Sequence, residues 1–353
     1  MTTAPLDYAP PPPRSPRGIP LLVWPILVLA LLLIFNFFFT PGFFHLTVRD
    51  GRVYGSLIDI LRRGAPVMLL SLGMALVIAT GGIDLSVGAV MAITGTIAAA
   101  LIVRPDDSPL AFINVTHSLT LIILLSLAAA AIAGLWNGLL VALLDIQPIV
   151  ATLILMVAGR GIARFPTSGQ IVTFEHPGFE FLGTGGFLGL PFPVTIVVVV
   201  AILTGLLTRG TALGLFVESV GNNPKAARLA GVSSSRVKIL VYVFCGFCAG
   251  VAGLISTADI KAADFNNLGL YLELDAILAV SLGGTSLSGG RFSIVGALIG
   301  AVLIQTLTTT ILARGVPEPL TLVIKGMVVV LVCLLQSEKF RSRCKRLFKR
   351  GNS

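Results

Sequence analysis

A chain of 353 residues in which 55% are apolar and only 12% charged, with a mean hydropathy of +0.97, is not a soluble globular domain. Its net charge of +9 gathers at the ends of apolar segments, which fits a membrane surface and argues against a nucleic-acid partner. A crossing helix needs roughly 20 apolar residues, so the length accommodates about ten crossings with short loops and leaves little for a soluble domain.

In chain order, residues 1–18 hold the Pro10–Pro13 run with Arg14 and Arg17 and are expected to form a disordered cytoplasmic N-terminus. The apolar run 19–39 is too long for a signal-peptide core and is expected to stay as the first span. Residues 40–63 mix Arg49, Asp50, Arg52, Asp59, Arg62 and Arg63 with apolar residues, as an interfacial helix would. Apolar runs follow at about 65–80, 85–103, 118–143, 148–165, 191–208, 237–257, 271–284, 293–313 and 319–336. The expected fold is therefore all-α: a polytopic membrane helix bundle of about ten spans, filling 19–336. The glycine-rich runs, and the one headed by Glu273 and Asp275, are candidates for broken or re-entrant segments.

Lys and Arg set the orientation. The 209–238 loop and the basic tail 337–353, dense in charge from Lys339 to Arg350, are expected in the cytoplasm, where the tail meets anionic lipid headgroups. Loops 166–190 and 258–275 are expected outside. One conflict remains, because ten spans place Arg49, Arg52, Arg62 and Arg63 outside as well.

The run 65–103 is interrupted by Thr80-Gly-Gly-Ile-Asp-Leu-Ser-Val-Gly88. A carboxylate at membrane depth costs several kcal/mol unless it meets a cavity, a partner or helix N-terminal amides. Asp84 therefore either caps the following helix or faces a solute path, and a capped broken helix does both. Gly81, Gly82 and Ser86 belong to the same interruption. Asn137, Gln147, Thr152, Arg160 and Gln305 also lie in or beside spans. Each can simply bond a neighbouring helix, worth about 0.6 kcal/mol, but a path for a polar solute needs neutral donors and acceptors, and Asn137 and Thr152 are the first candidates. A similar stretch recurs at Ser281–Gly290, an echo that transporter folds built from two related halves produce. The turn Gly289-Gly290-Arg291 is expected to be structural.

The polar island Glu218–Gly231 reads as a short helix outside the membrane. Asn223 suits its N-cap, Pro224 its first turn and Gly231 the left-handed residue that ends it. Ala226, Ala227 and Ala230 keep it slim enough for another surface to approach, although an ordinary cytoplasmic loop would look similar. Cys245 and Cys248 have C-x-x-C spacing inside an apolar run and are expected to be buried small residues. The histidines make no ligand pattern, so no metal, cofactor or catalytic residue is expected.

The pattern E-x-x-G-x-N-x-x-A-A-x-x-A-G, carried by Glu218, Gly221, Asn223, Ala226, Ala227, Ala230 and Gly231, resembles the coupling loop of sugar-importing ABC permeases. Ser219 stands where that family usually has Ala. T-G-G-I-D-L-S-V-G is similar to a second signature of these permeases. Asp50–Leu61, Gln147–Arg160, Gly169–Thr173, Ala258-Asp259, Asn266-Asn267 and Leu272–Ala279 look most like the permeases that import galactofuranose. The resemblance runs from about residue 45 to the basic tail.

It implies a non-enzymatic transport subunit of a bacterial inner membrane with both termini cytoplasmic. An ABC ATPase subunit would dock on the 218–231 helix, Arg228 included, and a periplasmic sugar-binding protein would deliver a monosaccharide, galactofuranose first among candidates. A second, distinct permease would complete the core. The chain has no G-x-x-x-x-G-K-[ST], so nucleotide hydrolysis is expected on another chain. The competing class is an ion-coupled secondary transporter or channel, which calls for ionisable residues along a path and needs no docking helix.

Overall fold

The computed structural model describes residues 22–49, 52–103, 109–110 and 118–336. The expected N-terminal arm 1–18 and the tail 337–353 lie outside the described residues. The first part of the chain forms α1 (Val23–Phe39), the hairpin β1 (Thr47–Arg49) and β2 (Arg52–Tyr54), and α2 (Ser56–Ala79). Then come α3 (Val87–Val103), α4 (Leu119–Ala142), α5 (Pro148–Arg164), β3 (Val172–Thr173), α6 (Pro177–Thr184), β4 (Gly186–Phe187), β5 (Leu190–Pro191) and α7 (Phe192–Arg209). The remainder is α8 (Leu213–Asn222), α9 (Pro224–Leu229), α10 (Ser234–Ile260), β6 (Ala262–Ala263), α11 (Leu272–Leu282), α12 (Ile294–Ala313) and α13 (Glu318–Gln336).

The fold is a polytopic helical bundle, and each apolar run of the sequence becomes a helix. Length alone does not confirm the expected count of about ten spans, some of them broken or re-entrant. Among the described residues 6 helices are long and apolar enough to cross a membrane: α2, α4, α5 with its following turn, α7, α10 and α12. The apolar helices α1 and α3 have 17 residues each, about 25 Å against a hydrocarbon core of about 30 Å. Helix α11 has only 11 residues, or about half that thickness.

Helix α2 is the centre. It is apolar on every side and buried almost throughout from Gly64 to Ala79, as a helix enclosed by other helices must be. Around it stand α7, α10, α11 and α12. Helix α10 joins α4 through small residues that let the backbones touch. A Cβ at Gly246 would lie 2.5 Å from the Ala130 carbonyl oxygen, and one at Gly134 would overlap the Tyr242 carbonyl. Spacing i, i+4 puts Gly134 with Gly138 and Gly246 with Gly250 on the facing stripes. Cys245 and Cys248, on the same helix, are free thiols in the core.

The two ends of the bundle differ. One carries the β1–β2 and β4–β5 hairpins, the β3–β6 pair and α6. Arg62 Nη1 meets Asp259 Oδ1 there at 2.6 Å, and Lys261 Nζ meets Glu180 Oε2 at 2.6 Å. Loop 166–190 and the first part of loop 258–275 therefore share this end with Arg62, whose charge is paired across it. The opposite end carries α8, α9 and the non-helical stretches after α2 and α11.

Candidate functional site

The polar island folds as a helix–cap–helix. Asn223 leaves α8 in extended conformation (φ −158°), and its side-chain oxygen accepts from the backbone N–H of Lys225 (3.1 Å) and Ala226 (3.0 Å). Two donors that open α9 are thereby satisfied. Pro224 occupies the first turn, and Gly231, at φ +86°, turns the chain out. The Gly231 N–H donates to the Arg228 carbonyl (3.0 Å) and that of Val232 to Ala227 (2.9 Å). The Ser234 hydroxyl, in the first turn of α10, donates to the Pro224 carbonyl (3.1 Å) and tethers the helix from below.

Within α9 the faces are distinct. Ala227 is buried, so its methyl packs on its own chain, whereas Ala226, Arg228 and Ala230 are exposed. Leu229 is 91% exposed, an apolar knob flanked by Arg228 and Lys225. Glu218 and Gly221, on α8, are half-buried.

The second group lies deeper. Asp84, Ser86, Asn137 and Thr152 are each 1% exposed or less. Asp84 Oδ1 accepts from the backbone N–H of Ser86 (2.9 Å) and its hydroxyl (2.7 Å). Asn137 Nδ2, from α4, donates to Ser86 Oγ (2.8 Å) and reaches Asp84 Oδ1 at 3.4 Å. Thr152, from α5, donates to the Ile83 carbonyl (3.3 Å). A buried carboxylate is tolerated when donors surround it, and here they come from the break and from α4. Asp84, Ser86 and Asn137 close on one another, and Thr152 bonds the same break at Ile83, so that residues 80–86 are held between α2 and α3. Gly81 takes φ +80°, and a Cβ at Gly82 would lie 2.6 Å from the Tyr242 hydroxyl.

Helices α3 and α11 both begin inside the bundle, and their starts meet. A Cβ at Gly88 would overlap the Gly269 carbonyl, and one at Gly269 would lie 2.7 Å from the Gly88 carbonyl oxygen. Glu273, in the first turn of α11, is 6% exposed. Arg160 braces the approach to α11: its Nη1 donates to the Leu268 carbonyl (2.6 Å) and the Phe265 carbonyl (3.2 Å). Lys325, which sequence reasoning missed, reaches Asp275 at 2.9 Å with both side chains largely buried. A basic residue inside an apolar run was its only signal. Among the described residues no three His, Cys, Asp or Glu side chains gather to hold a metal ion.

Apolar helices broken inside the bundle, and a capped polar helix standing off one end, describe a multi-pass helical membrane protein of the kind in which transporters place their broken segments. Residues 56–333 match the family model described as branched-chain amino acid transport system / permease component, and the chain belongs to this permease family. It is 51% identical over 340 residues to the galactofuranose transporter permease protein of Escherichia coli (strain K12), covering 96% of this chain and 95% of that one. It is 40% identical to a fructose import permease protein of Bifidobacterium longum, covering 91% and 89%. To the ribose import permease protein of Bacillus subtilis it is 37% identical, covering 80% and 85%. No solved structure matches the chain.

Proposed function

We propose that this chain is the membrane permease of an ATP-driven monosaccharide importer and that its cargo is galactofuranose. The observation that carries the proposal is 51% identity to a galactofuranose permease across 96% of the chain. The end bearing α9 faces the cytoplasm, because Arg209, Lys225, Arg228, Arg236 and Lys238 cluster there against Glu218. Both termini then lie inside, and the ten apolar helices make up the transmembrane part, with α3 and α11 as partial-depth segments. An ABC ATPase takes α9 into a groove, with Leu229 as its apolar contact and Arg228 beside it. A distinct second permease completes the core, and a periplasmic sugar-binding protein docks at the end carrying the hairpins. Asp84, Ser86, Asn137 and Thr152 brace the α2–α3 break beside the solute path, with Gly81 and Gly82 as its flexible backbone. Lipid surrounds the rest. The chain itself performs no chemistry on the sugar.

The test is uptake into proteoliposomes carrying this permease, its second permease and its ATPase, with the binding protein outside. ATP-dependent accumulation of labelled galactofuranose is expected. Uptake driven by an ion gradient without the ATPase would overturn the proposal.

A further inference from the structure

The two glycine-rich interruptions, one after α2 and one after α11, lie far apart in sequence yet touch at the end that carries α8. The Gly290 N–H donates to the Ala79 carbonyl at 2.9 Å. Gly221, on the last turn of α8, is inserted against both partners of that bond: a Cβ there would overlap the Ala79 carbonyl oxygen and lie 2.6 Å from the Gly290 nitrogen. From the other side, a Cβ at Gly289 would lie 2.9 Å from the Gly221 carbonyl oxygen and 3.1 Å from the Gly81 nitrogen. A Cβ at Gly290 would meet the Asn222 side-chain oxygen at 2.7 Å. Three separate parts of the chain therefore meet through bare backbone, and two of the participating glycines, Gly289 and Gly290, hold φ of +90° and +96°, which side chains rarely adopt.

We propose that Gly221 is a positioning residue that links the 218–231 helix pair to both broken hairpins, so that one displacement of α9 moves the α2–α3 and α11–α12 breaks together. The inference rests on the docking reading of α9 and adds to it the route by which the motion enters the bundle. Interfaces packed this tightly respond as discrete rearrangements and not as soft deformation. Asn223 and Pro224 make the connection from Gly221 to α9 short and stiff, since the cap leaves no slack between the two helices. Arg209 secures the second break from the same side, donating to the Phe292 carbonyl (3.4 Å) with its guanidinium 5.8 Å from the Phe292 ring centroid.

The experiment is hydrogen–deuterium exchange on the wild-type assembled transporter in nanodiscs, with and without a non-hydrolysable ATP analogue. Exchange in 218–231, 79–84 and 286–292 is expected to change together on adding the analogue. Adding the ATPase alone should already protect 218–231. Absence of that protection would strike the docking reading. Protection there with 79–84 and 286–292 unchanged in every nucleotide state would overturn the joint alone. As a second measurement, Gly221→Ala is expected to lower sugar taken up per ATP hydrolysed by about fivefold or more, the lower end of ordinary coupling between sites. An unchanged ratio in that variant would also overturn the joint.

Discussion

Asn137 on α4 and Ser86 before α3 are 51 residues apart in sequence and 2.8 Å apart in space, and Asp84 shares their bond. The relationship explains how an acid sits inside an apolar bundle: the carboxylate is held by Ser86 on its own segment and by an amide from a neighbouring helix. Removing the amide leaves the acid short of a donor. Asn137→Leu is expected to lower stability by about 1–3 kcal/mol, the desolvation cost of a buried group left unpaired. Thermal unfolding in detergent checks it, with Asn137→Gln as the milder comparison.

The pair of Lys325 and Asp275 ties α13 to α11. Truncating one partner strands a buried charge, at a cost of about 3–5 kcal/mol, whereas replacing both with apolar residues is close to neutral. Lys325→Met alone should therefore fail to give a monodisperse protein, and Lys325→Met with Asp275→Leu should recover it. Size-exclusion profiles of the single and double variants decide the matter.

Asn223 closes the start of α9 with two hydrogen bonds. Asn223→Ala is expected to weaken the helix by about 1 kcal/mol and, with α9 docked as proposed, to weaken ATPase binding. Asn223→Asp, which keeps the accepting oxygen, should hold the association. Calorimetric titration of the two variants with the ATPase measures the difference.

At the hairpin end, the Lys261 ammonium beside Glu180 holds that carboxyl below its ordinary value of 4.5. The same hydrogen bond raises Lys261. A depressed carboxyl stabilises the fold above its unfolded pKa, and the contribution disappears as pH falls through the folded one. A raised ammonium contributes fully below its unfolded pKa and loses its part as pH rises through the folded value. The pair is thus complete at neutral pH and lost at both extremes. Glu180→Gln should flatten the acid limb of a stability-against-pH curve while changing the neutral plateau only modestly, since the ammonium of the pair is half exposed and solvent screens it.

Local chemistry was legible in the sequence, and distant contacts were not. Asn223, Pro224 and Gly231 announce a capped short helix because each acts on backbone within a few residues. The break at Gly81–Asp84 is equally local. The apolar runs give the helices, but whether a run crosses fully depends on where its start is placed. Nothing local puts the start of α3 against Gly269. The arginine conflict near residue 60 has a similar origin, since beside the local Asp59 at 3.7 Å Arg62 meets Asp259 at 2.6 Å, 197 residues away. The similarity of Ala79–Gly88 to Ser281–Gly290 was visible as a pattern, while the Gly290–Ala79 hydrogen bond that unites the two stretches needed coordinates.

The proposed function requires α9 to be a cytoplasmic handle for a separate ATPase, and one labelling experiment addresses it directly. In a chain carrying Cys333→Ser and Cys344→Ser, Arg228→Cys is introduced on the exposed face of α9 and treated with a membrane-impermeant maleimide in sealed vesicles of each orientation; the two native cysteines that remain, Cys245 and Cys248, are buried in the core. Labelling only in inside-out vesicles, blocked by prior addition of the ATPase, is the predicted result. Labelling only in right-side-out vesicles, or labelling indifferent to the ATPase, would contradict it.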